Sequence, residues 1–214
     1  MNRSINKETK LFCSFSGSAG SFGCWLHNTG YEKLGINAIY KSFSVTSIQK
    51  AIESMKTLKI EGAAVSMPFK REAILYVDHL TSIAEEIGAV NTLYLVDDKV
   101  IGHNTDYRWM QKFNKTNRIV ILGRGGFSRA MQYALRKENY PFEIIDRRNW
   151  NSLEELENCD VINCTPVKGL KLPKVNFYDC DIETDTGKDM AIESGLEQFR
   201  LYTGESLSRE DLGT

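Results

Sequence analysis

The chain has 214 residues, 42% of them hydrophobic and 26% charged, with a formal net charge of −1. That is the balance of an ordinary globular protein with length for one large domain or two small ones, and it offers no basic stripe to nucleic acid. Apolar runs such as RIVILG are too short to span a bilayer and the opening MNRSINKETK has no apolar signal core, so a cytoplasmic protein with no membrane partner is expected.

In chain order, an apolar run at LFCSF leads through the Gly/Ser loop SGSAGSFG into a helix-like CWLHNTGYEKLG, followed by a strand-like NAIYKSFSV. In SIQKAIESMKTL the residues Ile48, Ile52, Met55 and Leu58 recur at helical spacing and predict an amphipathic helix with that stripe in the core. GAAVSMP predicts a short buried strand and residues 70–88 a helical stretch. AVNTLYLVDDKVIGHNTD predicts two strands joined at Asp97-Asp98. After the polar NTDYRWMQKFNKTN, a strand, a glycine-rich turn and a helix begin a second domain in RIVILGRGGFSRAMQYALRKEN, and FEIIDR completes a βαβ unit. One short helix then separates DRRNW from CDVINCTPVKG.

The five cysteines (Cys13, Cys24, Cys159, Cys164, Cys180) lack paired ligand spacing and read as reduced, buried small residues. His27, His79 and His103 are scattered, so no metal site is expected, and no nucleophile elbow or reactive-cysteine motif stands out. The glycine turn carries more chemistry. Gly123 permits a tight turn, Gly125 lets a pyrophosphate approach the backbone, and the following helix offers unpaired N–H groups to phosphate. Ser128 stands where a third glycine is usual, and the same residues could form a plain strand–helix connection. Asp146, about 20 residues beyond the glycines, suits a ribose 2′-hydroxyl as in NAD, whereas Arg147 and Arg148 suit the 2′-phosphate of NADP. Lys70, just after a strand, reads either as a solvated cation or as an acid–base group, and Asp106 either as a helix cap or as a partner carboxylate.

Taken together and in order, VSMPFK, GAVNT, GHNTD, GRGGFSRA, NCTPVKG and GLEQFRLYTG resemble the shikimate dehydrogenase family, and GSFGCWLHN with AVSMPFK is most similar to its shikimate-dehydrogenase-like branch. The resemblance implies an α/β protein in three parts: a substrate-binding and catalytic domain at 1–106, a shortened Rossmann domain for NADP, with NAD possible, at 107–188, and a C-terminal helical segment at 189–214 packing back across the cleft. It also implies reversible reduction of 3-dehydroshikimate to shikimate, in aromatic amino-acid biosynthesis by way of chorismate. Alternatives are a dehydrogenase acting on quinate or another hydroxylated ring acid, and a non-catalytic ligand-binding relative. The partner expected is a small molecule, and the oligomeric state stays open.

Position by position, the resemblance makes Lys70 and Asp106 the catalytic pair. Ser21, Ser66, Asn91, Asn104 and Ser194 become substrate-binding, and Gly123, Arg124, Gly125, Gly126, Phe127, Ser128, Asp146, Arg147, Arg148 and Thr165 cofactor-binding. Several positions depart from the family. Gly23 replaces the second serine of the carboxylate loop, Ser194 replaces a glutamine that reads a ring hydroxyl, Trp109 replaces a glycine near the NTD motif, and the nucleotide domain is pared down.

Overall fold

The computed structural model describes residues 5–213, which divide into two compact units: one formed by the chain up to Thr105 together with the segment from Gly195 onward, the other by Asp106–Ser194. The fold is mixed α/β, as expected from the alternation of strands and helices in the sequence. No described helix is long and apolar enough to cross a membrane.

The first unit runs β1 (Lys10–Ser16), α1 (Phe22–Lys33), β2 (Ala38–Ser44), α2 (Ile48–Thr57), β3 (Gly62–Val65), a 3-10 turn (Glu72–Tyr76), β4 (His79–Leu80), α3 (Ser82–Ile87), β5 (Thr92–Val96) and β6 (Lys99–His103). The strands form a six-stranded sheet in the order β2-β1-β3-β5-β6-β4. Its first three strands are parallel, while β5 runs antiparallel to both β3 and β6. The β5–β6 hairpin turns on Asp97 and Asp98, both at positive φ (49° and 61°), as a two-residue turn between twisted strands requires.

The helix α2 starts at Ser47, whose side chain accepts from Lys50 N, and buries Ile48, Ile52 and Met55 against Phe15, Val65 and Leu93 of the sheet core. Leu58 does not join that stripe. The helix ends at Thr57, Leu58 is its C-cap residue, and its side chain is 64% exposed. The continuous helical stretch expected over 70–88 is also corrected. Asp78 N donates to Val100 O at 2.9 Å and Thr81 N to Gly102 O at 3.0 Å, so β6 captures the middle of the segment as β4. Thr81 then caps the short α3 by accepting from Ala84 N. A ladder to another strand outweighs a modest local preference for helix.

The second unit contains α4 (Arg108–Lys112), β7 (Arg118–Leu122), α5 (Gly126–Lys137), β8 (Phe142–Ile145), a 3-10 turn (Trp150–Glu155), β9 (Cys159–Asn163), β10 (Asn176–Asp179) and the start of α6 (Asp185–Thr203), whose last turns belong to the first unit. Its sheet is four-stranded and wholly parallel, ordered β10-β9-β7-β8. The central strand β7 is buried along Ile119–Leu122, which is why RIVIL reads as an unbroken apolar run rather than an alternating one. Cys13 and Cys159 are buried, but Cys24, Cys164 and Cys180 are only partly so, which corrects the uniform burial expected of the five cysteines.

Candidate functional site

In the first unit the chain leaves β3 through Ser66 and reaches Lys70 over Met67-Pro68, a cis peptide, and Phe69. The turn is held by Phe69 N donating to Ser66 O at 3.0 Å, and Lys70 O accepts from Val90 N at 2.6 Å. Backbone bonding thus places the half-buried Lys70 beside the segment that carries Asn91. The glycine loop lies against the same turn, since Gly17 N donates to Met67 O at 3.0 Å. Ser21 is exposed at the start of α1 and makes no side-chain cap bond there.

Asn91 is buried inside a polar cluster. Its Oδ1 accepts from Thr105 N at 2.8 Å and from Thr92 Oγ1 at 2.6 Å, and its Nδ2 donates to Thr105 Oγ1 at 3.1 Å. Asn104, fully buried, donates through Nδ2 to Ala89 O at 2.9 Å, tying the segment after β6 to the one entering β5. Gln198 of α6 completes the cluster by donating to Asn91 O and Thr92 Oγ1. Thr92, Thr105 and Gln198 escaped sequence reasoning: a threonine in a strand, another in a connecting segment and a glutamine in a helix carry no signal of their own, although all three lie in or beside the GAVNT, GHNTD and GLEQF motifs.

Gly23 has a packing reason. A Cβ there would lie 2.9 Å from the Tyr40 ring, which is itself stacked on buried His27 with centroids 4.3 Å apart. Burial pushes the His27 imidazole down to about 3.

In the second unit Asp106 is buried and precedes α4, whose cap position is Tyr107 with no side-chain cap bond, so Asp106 is not the helix cap. Its carboxylate accepts instead from Ser194 Oγ at 3.3 Å. Trp109 is buried and donates from Nε1 to Asp189 at 2.6 Å, and Lys112 pairs with Glu193, so two residues of α4, one turn apart, are tied to α6.

The glycine turn sits between β7 and α5. Gly123 has φ +96°, and a Cβ on it would come within 2.8 Å of Thr165 Cγ2. Ser128, fully buried in the place of a third glycine, donates to Gly123 O at 2.7 Å and braces the turn. Gly125, the residue capping α5, is different. A Cβ on it would meet nothing within 4 Å, so no neighbouring protein atom requires glycine there. Gly126 and Phe127 form the first turn of α5, and the exposed Arg124 lies within the loop. Thr165 donates to Asn163 Oδ1 at 2.7 Å, shaping the loop after β9. At the end of β8, Asp146 draws in two guanidinium groups, Arg148 at 2.7 Å and Arg124, while Arg147 is exposed beside them. The Arg148 guanidinium, its backbone N–H and Arg124 hold the Asp146 carboxyl far below the usual carboxylate range.

A family model for the shikimate dehydrogenase substrate binding domain matches residues 19–93, the stretch carrying Ser21, Ser66, Lys70 and Asn91. A shikimate dehydrogenase-like protein of Haemophilus influenzae is 30% identical over 96% of this chain and 95% of its own length. The chain belongs to the shikimate dehydrogenase family. A shikimate dehydrogenase (NADP(+)) of Aquifex aeolicus is 34% identical over 83% of this chain and 76% of that protein, whereas the match to the Clostridium beijerinckii enzyme spans 62% of its length. Among solved structures, a shikimate 5-dehydrogenase-like protein matches with a TM-score of 0.82 at 29% identity, covering 98% of this chain and 97% of that one. The Aquifex aeolicus shikimate dehydrogenase structure matches with a TM-score of 0.81 at 25% identity over 98% of each chain. The Rossmann-type βαβ unit of this chain is β7, α5 and β8.

Proposed function

We propose that this protein is an NADP-dependent shikimate dehydrogenase interconverting 3-dehydroshikimate and shikimate. The unit of residues 1–105 and 195–214 would bind the ring acid, and the unit of 106–194 the nucleotide. The observation that carries the reading is the tie between Lys70 O and Val90 N, which sets the family's lysine beside the buried Asn91 amide inside the stretch that matches the substrate-binding model.

Ketone reduction builds negative charge on the carbonyl oxygen, so the site needs a cation that also delivers a proton. Lys70 fills both roles: its ammonium stabilises the oxygen and gives it the proton as the alcohol forms. In the reverse direction neutral Lys70 takes that proton back. The family resemblance makes Asp106, whose carboxylate accepts from Ser194 Oγ, the second member of the acid–base pair. The bound nicotinamide supplies and accepts the hydride. The fit of the dinucleotide is supported by Gly125, whose missing side chain leaves open space at the start of α5 where a pyrophosphate meets unpaired N–H groups. Arg124, Arg147 and Arg148 offer cations to a 2′-phosphate. Because Asp146 is neutralised by two of them, it repels that phosphate less than a lone carboxylate would. This supports NADP over NAD.

Ser194 favours a second reading, in which the ring acid is quinate or a relative with another hydroxyl pattern. The shorter side chain is engaged with Asp106 where the family's glutamine reads a hydroxyl.

Spectrophotometric assays of purified protein with shikimate and quinate, each against NADP and NAD, test both readings. Shikimate with NADP should be the best pair, and Lys70→Ala should lower kcat by about two to four orders of magnitude, as loss of a general acid does. Wild-type turnover in Lys70→Ala would overturn the assignment, and binding of either acid without turnover would make the protein a ligand-binding relative.

A further inference from the structure

The loop after β9 is tied to a fully buried side chain. Asn163, the first residue of NCTPVKG, is buried at the end of β9, whereas residues 166–169 are exposed and have no core packing to fix their path. Thr165 N only donates and Val167 O only accepts, so the Asn163 carboxamide must turn its oxygen to the first, at 3.0 Å, and its nitrogen to the second, at 3.0 Å. The other N–H of that nitrogen goes to the Asp179 carboxylate of β10 at 3.2 Å. The Thr165 hydroxyl lies between Val167 N, a donor, and Asn163 Oδ1, an acceptor. It accepts from the first at 3.2 Å and donates to the second at 2.7 Å. Both N–H groups of the Asn163 side chain and both lone pairs of its oxygen are thus used inside the protein, and residues 163–167 are set in two successive side-chain turns.

The loop so fixed lies against the glycine turn. Cys164 N donates to Leu122 O at 3.1 Å, one residue before Gly123, and the Thr165 methyl group is the atom that a Cβ on Gly123 would meet at 2.8 Å. β7 and β9 are neighbouring parallel strands, and the loops at the carboxyl ends of such strands are where an open parallel sheet holds its ligand. We propose that Asn163 is a positioning residue for the dinucleotide: without touching it, the buried carboxamide holds residues 164–167 in the conformation that seats Thr165 against Gly123 and shapes that side of the cradle. The inference rests on the NADP reading proposed above and deepens it by naming what gives the loop after β9 its form.

The test uses two variants of the full chain. Asn163→Asp is close in shape and keeps an acceptor for Thr165, but it loses both donors and sets a carboxylate beside that of Asp179. Thr165→Val keeps a methyl group toward Gly123 and removes the hydroxyl that links Asn163 to Val167. Fluorescence titration with NADPH should show affinity about tenfold weaker in Asn163→Asp and about threefold weaker in Thr165→Val, in proportion to the hydrogen bonds lost. In Asn163→Asp the KM for NADP should rise in step, while kcat at saturation and the KM for shikimate stay within about twofold. A residue that only stabilised the fold would lower the urea midpoint and leave NADPH affinity at the wild-type value, and that result would overturn the proposal. So would a kcat that falls as far as the affinity does. Should Asn163→Asp fail to fold, Thr165→Val decides by itself, and wild-type NADPH affinity in it would overturn the role of Asn163. A wild-type protein that does not bind NADPH would instead remove the NADP reading on which the inference rests.

Discussion

Two glycines two positions apart, Gly123 and Gly125, should respond to alanine in opposite ways. At Gly125 the backbone has φ −71° and ψ −179°, ordinary for alanine, and the added Cβ meets nothing within 4 Å. Alanine is a poorer helix cap than glycine, which costs about 0.5–1 kcal/mol. The loss of unfolded-state freedom returns about 0.4–1 kcal/mol, so folding stability should change by less than about 0.5 kcal/mol. At Gly123 the φ of +96° costs an alanine about 1–3 kcal/mol, and its Cβ would sit 2.8 Å from Thr165 Cγ2, so a total loss of about 2–4 kcal/mol is expected. Urea unfolding reads these numbers directly. Fluorescence titration with NADPH should then show Gly125→Ala binding at least about tenfold more weakly, because its methyl group fills the space that a pyrophosphate needs at the N-terminus of α5. Wild-type NADPH affinity in Gly125→Ala would refute the cradle, and equal stability of the two variants would refute the steric account of Gly123.

Stability should fall in acid through His27, whose imidazole is pushed from 6.5 down to about 3 by burial. The unfolded chain binds the proton first, so between those two pH values each unit of acidification costs up to about 1.4 kcal/mol, and above pH 6.5 the group contributes nothing. His27→Phe should flatten that slope in pH-dependent unfolding; an unchanged slope would mean that the folded state accommodates the charge. Ser194→Ala removes the donor 3.3 Å from Asp106. A bond that long to a carboxylate is worth about 1 kcal/mol, so kcat with the best substrate should drop about fivefold, and an unchanged kcat would show that Ser194 does not steady the carboxylate.

The sequence by itself determined what depends on neighbours along the chain. The strand–glycine–helix–strand order of β7, α5 and β8, the Asp97-Asp98 hairpin and the buried stripe of Ile48, Ile52 and Met55 all follow from spacing and from conformations few residues adopt. The lysine of VSMPFK and the aspartate of GHNTD were legible only through the order of the six motifs, since a lysine after a strand and an aspartate before a helix have commoner explanations. Tertiary structure decided what depends on distant partners. Pairing with β6 broke the helix expected over 70–88, and the end of α2 left Leu58 in solvent. Asp106 became a hydrogen-bonded carboxylate rather than a cap because Ser194, 88 positions away, lies against it. Thr92 and Gln198 joined the polar cluster around Asn91 because α6 brings an amide to a hydroxyl 106 positions earlier in the chain. Asp146 illustrates the same limit at short range, because its position announces a carboxylate for a ribose, but only the folded loop brings Arg124 and Arg148 onto it. Periodicity records which face of an element is apolar, whereas the direction of a hydrogen bond or the partner of a buried charge exists only once the chain has closed on itself.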